Sequence, residues 1–287
     1  MTNAVALKVK SVLDALRHVP KIPFAVVILF VLNGIFAPLI TPCDPEQTAL
    51  SDKFLPPFFM PGGSVAHLLG TDRLGMDVLS RVMYGGRISL FIAFLAIVAG
   101  GLLGSLLGVL AGYYGRKTDK VIMSLSDASL AFPSILLALL LSISIGSGAA
   151  AAIISISFLM WSKYTRTIKT EVVTLKRKNF VTASKLMGAS DFFVIKRHIL
   201  PNVGNVIIVM VSIEVGMAIL SESALSFLGL SVSPPTPSWG QMISDGNKYF
   251  LKAWWISVFP AIATAVTVLA FILLGEWMKK SLGARDE

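Results

Sequence analysis

Apolar residues fall into six long runs separated by polar, charge-bearing segments: 22–41, 88–112, 122–146, 148–162, 203–227 and 253–276. About 20 predominantly apolar residues suffice for a helix to cross the hydrocarbon core of a bilayer. The pattern therefore predicts an all-α polytopic membrane helix bundle of about six transmembrane helices. The fourth run is the shortest, and is expected to continue as helix into Lys163–Thr167. The third contains Pro133 and the last Pro260, both candidate kinks, because neighbouring groups can re-satisfy the carbonyls that a proline frees. The division expected is 1–87 (N-terminal tail, first transmembrane helix and loop) and 88–287 (core transmembrane domain). The core carries one large polar segment, 162–202.

Composition supports the bilayer as solvent. Of 287 residues 55% are hydrophobic and 14% charged, against about 25% charged in a typical soluble domain. Mean hydropathy is +0.77. A net charge of +9 would suggest nucleic acid in a soluble chain, but its distribution excludes that. Alternate loops hold Lys8, Lys10, Arg17, Lys21; Arg116, Lys117, Lys120; the basic run from Lys163 to Arg197; and Lys279, Lys280, Arg285. Together these are 19 of the chain's 25 lysines and arginines. The excess is a topology signal, and by the positive-inside rule both termini are expected to be cytoplasmic. Segments 42–87 and 228–252 then face outward. Trp239, Trp254 and Trp255 beside the last span read either as an interfacial aromatic belt or as a substrate contact.

Within the spans, Gly100, Gly104, Gly108 and Gly112 recur every four residues and make a groove for close helix approach, with the partner helix left open. Ionisable residues there are few. Asp127 lies near an inner end. Glu214 and Glu222, eight residues apart, share one face and are candidates either for lining a polar pathway or for structural hydrogen bonds. Cys43 is the single cysteine, so no intrachain disulfide is possible. The run before it is longer than a signal h-region and lacks a small-residue cleavage pattern, so it reads as a retained helix.

Enzyme motifs are absent. There is no G-x-x-x-x-G-K-[ST] phosphate loop, no H-E-x-x-H and no G-x-S-x-G, and His18, His67 and His198 are scattered. No cofactor or metal is expected, and any ATP-driven step needs another polypeptide.

In 162–202, Phe180, Ala183, Ser184 and Met187 recur at helical spacing. Gly188 permits a bend after them. Ser190 can cap a second helix carrying Phe193 and Ile195, which Pro201 is expected to close. The product is either a knob projecting into a partner's groove or an amphipathic hairpin lying on lipid.

Thr182-Ala183-Ser184, three residues, Gly188, nine residues, then His198-Ile199-Leu200-Pro201 resembles the "EAA" coupling motif of bacterial ABC-importer permeases. Thr182 replaces that motif's Glu, Ser184 its second Ala, and His198 its Ile. GTDRLGMDVLSRVMYGGRISL (70–90), with Met76 where an Arg is usual, and SALSFLGLSVSPPTPSWGQMISDG (223–246) resemble signatures of the dipeptide, oligopeptide and nickel importer permeases. The resemblance implies a type I ABC-importer (MetI-like) fold and half of a transmembrane pathway for peptides. It implies four kinds of partner: a second, homologous permease subunit, two cytoplasmic ATPase subunits, an external solute-binding protein and the lipid bilayer. The coupling element would comprise Phe180, Ala183, Ser184, Met187, Gly188, Ala189, Leu200 and Pro201. Relatives with these motifs carry dipeptides, longer peptides, antimicrobial peptides, nickel chelates or sugars. The rival from another class is a self-sufficient secondary transporter, which would show coupling residues on broken helices in two matching repeats; no such repeat is visible.

Overall fold

The computed structural model describes residues 19–283, and among these every regular element is helical. The basic residues Lys8, Lys10, Arg17 and Arg285 of the two termini lie outside the described residues. Ten α-helices follow in order: α1 Lys21–Ile40, α2 Val78–Tyr114, α3 Arg116–Ala131, α4 Ser134–Ile145, α5 Ala149–Lys176, α6 Asn179–Leu186, α7 Asp191–Val194, α8 Leu200–Phe227, α9 Trp239–Asn247 and α10 Trp255–Gly283. By length and hydropathy α1, α2, the continuous segment Asp191–Phe227 and α10 can each cross a membrane, and α3 with α4 forms a bent fifth candidate.

The glycine groove of α2 finds its partner within the chain. A Cβ added at Gly100, Gly104, Gly108 or Gly112 would fall 2.6, 2.4, 2.8 and 2.8 Å from the carbonyl oxygens of Ser157, Trp161, Thr165 and Lys169. Both series advance by four, so α2 and α5 run parallel with their backbones in contact, one helical turn matched to the next. Thr165 Oγ1 shares its proton between Trp161 O at 2.7 Å and Gly104 O of α2 at 3.1 Å, and Ser157 Oγ does the same between Ile153 O at 2.6 Å and Ala96 O at 3.1 Å.

This packing carries α5 well past the expected end of the fourth span. Tyr164, Ile168, Val172 and Leu175 form a buried stripe at helical spacing, while Lys163, Arg166 and Lys169 stand on other faces. Residues 162–176 are thus helix, and the irregular part of the expected loop begins only at Arg177.

Pro133 bends its span as expected, and sharply. The third span is two helices meeting at 93°, since Pro133 lacks an N–H and drives Phe132 to φ −89°, ψ 140°. Pro201, by contrast, closes nothing. Ile195–Ile199 forms a π-turn in which the Leu200 N–H donates to Ile195 O. Pro201 then occupies the first turn of α8, where no donor is required. Pro260 lies inside α10, which continues through it.

The end of the bundle where α2 begins is closed by loops 41–77 and 228–238 and by α9. Trp239 and Trp255 are buried there, 2% and 4% exposed, and donate through Nε1 to Val82 O at 2.8 Å and Thr71 O at 3.1 Å. They are core residues with satisfied N–H groups rather than an interfacial belt or a substrate contact. Arg81, also buried, donates to Pro45 O at 2.9 Å and Pro235 O at 3.4 Å and so ties both loops to α2. α1 lies on the outside of the bundle and buries Phe30, Gly34 and Ala37, Phe30 against Trp239 and Phe271.

Candidate functional site

At the other end of α2 the chain builds the knob. The last turn of α6 closes in a Schellman arrangement: Gly188 N donates to Lys185 O at 3.0 Å and Ala189 N to Ser184 O at 3.1 Å. That geometry needs a left-handed residue, and Gly188 supplies φ +83° with nothing within 4 Å of where a Cβ would stand. The glycine is required by backbone conformation, not by space. Ser190 then caps α7, its Oγ accepting from Phe193 N at 3.3 Å.

One side of the knob is fixed to the bundle. Val181, Val194, Ile199 and Val203 are buried with Val109 of α2 and Ile168, Val172 and Leu175 of α5. A polar clasp reinforces them: Tyr113 Oη donates to Asp191 Oδ1 at 2.7 Å, and Lys185 Nζ lies 3.5 Å from the same carboxylate. The Lys185 ammonium also sits 4.8 Å from the centroid of the Tyr113 ring, within cation–π range. Tyr113 O accepts from Lys176 Nζ.

The opposite side is apolar and open. Leu186 is 84% exposed, Met187 82% and Phe192 72%, with Phe180 and Phe193 about half exposed. Lys196 Nζ stands 5.9 Å from the centroid of the Phe192 ring at this tip.

Of the residues singled out by sequence, Phe180, Ala183, Met187, Gly188, Leu200 and Pro201 are exposed, Ala189 is half-buried and Ser184 is buried facing the bundle. Leu186 and Phe192, two of the three most exposed apolar residues of the tip, were not among them. Both lie off the helical repeat that singled out the others, and only the turn at Gly188 brings them to one surface. Thr182 is exposed, and its Oγ1 reaches only Lys178 O of its own helix.

The two acids of α8 share a face but not surroundings. Glu222 is completely buried and accepts from Ser89, Ser226 and Ser231 at 2.8, 2.9 and 3.1 Å. It joins α2, α8 and loop 228–238. Glu214 lies 3.5 Å from Lys163 Nζ beside a cavity of about 100 Å³ whose lining includes Ser129, Phe132, Ser162, Met217 and Ser221. That cavity opens where the α3–α4 bend leaves a gap against α5 and α8.

The same architecture occurs among solved structures. A chain of the inward-facing MetNI methionine ABC transporter superposes with a TM-score of 0.57 at 15% identity, covering 70% of this chain and 95% of that one. Among curated sequences, the di/tripeptide transport system permease protein DppC of Pseudomonas aeruginosa is 37% identical over 89% of this chain and 84% of its own length. The glutathione transport system permease protein GsiD of Pectobacterium atrosepticum is 35% identical over 93% and 87%. The dipeptide transport system permease protein DppC of Alkalihalophilus pseudofirmus is 36% identical over 94% and 88%. The family model described as binding-protein-dependent transport system inner membrane component matches residues 104–285, a stretch that includes the knob, both α8 acids and most of the α2–α5 contact. The chain belongs to that family of multi-pass membrane permease components.

Proposed function

We propose that this chain is one permease subunit of a peptide importer, pairing with a similar permease and energised by two ATPase subunits that dock on the knob. The observation that carries the reading is the two-sided knob itself. Its inner face is clasped to α2 and α5, while Leu186, Met187 and Phe192 stand open to solvent. A soluble surface does not ordinarily hold such a cluster free. A groove on a cytoplasmic ATPase would bury it.

The physics of coupling follows from how the knob is fastened. α7, the π-turn and α8 form one unbroken helical path, and Val181 and Ile199 key into α2 and α5. A displacement imposed at the tip is therefore delivered to packed helices as a rigid-body motion. For ATP to drive transport, the ATPase must hold the knob differently in the two states of the bundle. The basic bias of the knob side supports placing it, and both termini, in the cytoplasm. Loops 41–77 and 228–238 then face an external binding protein. Of the two acids, Glu214 has a cavity beside it and is the one expected to meet cargo.

Reconstitution tests this directly. The chain, its partner permease and the ATPases are placed in proteoliposomes, and candidate binding proteins are added with their ligands. Stimulated ATP hydrolysis with a peptide-loaded binding protein is the expected result. Stimulation only by a nickel- or sugar-loaded protein would reassign the cargo, and a chain that transports without ATPase subunits would refute the proposal.

A further inference from the structure

At the far end of α2 from the knob, three residue types that ligate transition cations converge. Cys43 follows α1 by three positions, His67 lies in loop 41–77, and Asp77 caps α2. Their ligand atoms all lie within 4.8 Å of one another. His67 Nδ1 is 3.0 Å from Asp77 Oδ1, and the two side chains are 15% and 2% exposed.

Each flanking ligand is held in place by Ser80, one through its backbone N–H and the other through its hydroxyl. Asp77 Oδ2 accepts from Ser80 N at 2.7 Å, which leaves Oδ1 turned toward His67. The Cys43 N–H donates to Ser80 Oγ at 3.0 Å. None of these side chains takes part in coupling at the knob.

We propose that Cys43, His67 and Asp77 form a binding site for one Zn²⁺ ion. Zinc takes sulfur at about 2.3 Å and nitrogen or oxygen at about 2.0–2.2 Å in a tetrahedron. That geometry sets ligand atoms roughly 3.3–3.7 Å apart, so the widest separation, within 4.8 Å, closes by about 1 Å while the His67–Asp77 pair at 3.0 Å opens slightly. A thiolate and an imidazole select zinc over calcium or magnesium, which favour all-oxygen shells.

On binding, the thiol releases its proton to solvent and His67 keeps its ring proton on the nitrogen away from the metal. Thiolate and carboxylate together neutralise the ion, and the fourth position falls to water. Burial and then the Asp77 charge raise the Cys43 pKa; a cation between the two groups reverses the second effect. The bound ion would pin the end of α1, the loop and the α2 cap to one another. The site is independent of which solute is carried.

The test uses the full chain, stripped with chelator and equilibrated with Zn²⁺ or Co²⁺. The wild type should retain one equivalent of zinc after dialysis, and the cobalt form should show a thiolate-to-metal charge-transfer band that the Cys43→Ser chain lacks. Because Cys43 is the only cysteine, the difference spectrum reports this thiol alone. Cys43→Ser and His67→Ala should each weaken zinc binding by about tenfold or more, with Lys53→Ala unchanged. Zinc should also slow maleimide labelling of Cys43 in the wild type, a reading that needs no variant to fold. A wild type without the cobalt band, or one that holds no more zinc than Cys43→Ser, overturns the site and marks any residual zinc as adventitious.

Discussion

Replacing Gly104 by alanine puts a methyl group where α2 and α5 touch backbone to backbone. The new Cβ would lie 2.4 Å from Trp161 O and 2.6 Å from Tyr164 Cβ, whereas ordinary contact begins at 3.4 Å. The helices must therefore part locally by about 1 Å, and neither neighbour is the tip of a flexible side chain. Overpacking of this kind costs about 1–3 kcal/mol. Weakening the Thr165–Gly104 hydrogen bond adds about 1 kcal/mol. Alanine's better helix propensity returns about 1 kcal/mol, leaving a net loss of about 1–3 kcal/mol. Gly204 of α8 provides the matched control, since nothing lies within 4 Å of its added Cβ. Gly204→Ala should be neutral or gain up to about 1 kcal/mol. At about 2–4 °C for each kcal/mol, the thermal midpoints of the two purified variants should differ by about 2–16 °C, with Gly104→Ala the lower. Coincident midpoints would refute the claim that the glycine series is a backbone contact.

Three further outcomes are expected. Leu186→Asp with Met187→Asp should leave insertion and thermal stability unchanged, because both side chains are exposed, while co-purification of the ATPase subunits in mild detergent is lost. Gly188→Ala should cost about 1–2 kcal/mol through its left-handed conformation and lower uptake, with Gly188→Arg abolishing uptake in membranes that still contain the protein. Glu222→Ala should destabilise by about 3 kcal/mol or more, since Ser89, Ser226 and Ser231 lose their shared acceptor in a closed site; Glu222→Gln, which keeps an acceptor oxygen, should lose less than half as much in the same thermal assay.

Spans were legible because hydropathy is a property of a window, and so was the knob's bend, because Gly188 is a local requirement. What escaped was set by partners distant in sequence. The buried stripe of α5 is interleaved with lysines and an arginine, so averaging reads a polar loop where packing on α2 makes a helix. Pro201 read as a terminator because a proline's clash is counted in α-helical register, and the π-turn before it changes that register. Glu214 and Glu222 look alike on a helical wheel; they differ because Ser89 and Ser231 arrive from elsewhere to enclose one of them. Trp239 and Trp255 are ordinary belt residues by position, and only the loops folded over them bury their rings and engage their indole N–H groups.

The long α2 also has a mechanical consequence. Its 37 residues make a rod of about 55 Å, nearly twice the roughly 30 Å thickness of the hydrocarbon core. Tyr113 fastens one tip to Asp191, and Arg81 fastens the other to the carbonyls of Pro45 and Pro235. Pivoting through about 5° at the glycine contact, which lies toward its Tyr113 end, such a lever would sweep the Arg81 tip by about 3 Å and the Tyr113 tip by about 1 Å, in opposite directions. Events on the two membrane faces can then be geared to each other by tilt alone, with the glycine-lined contact to α5 as the fulcrum.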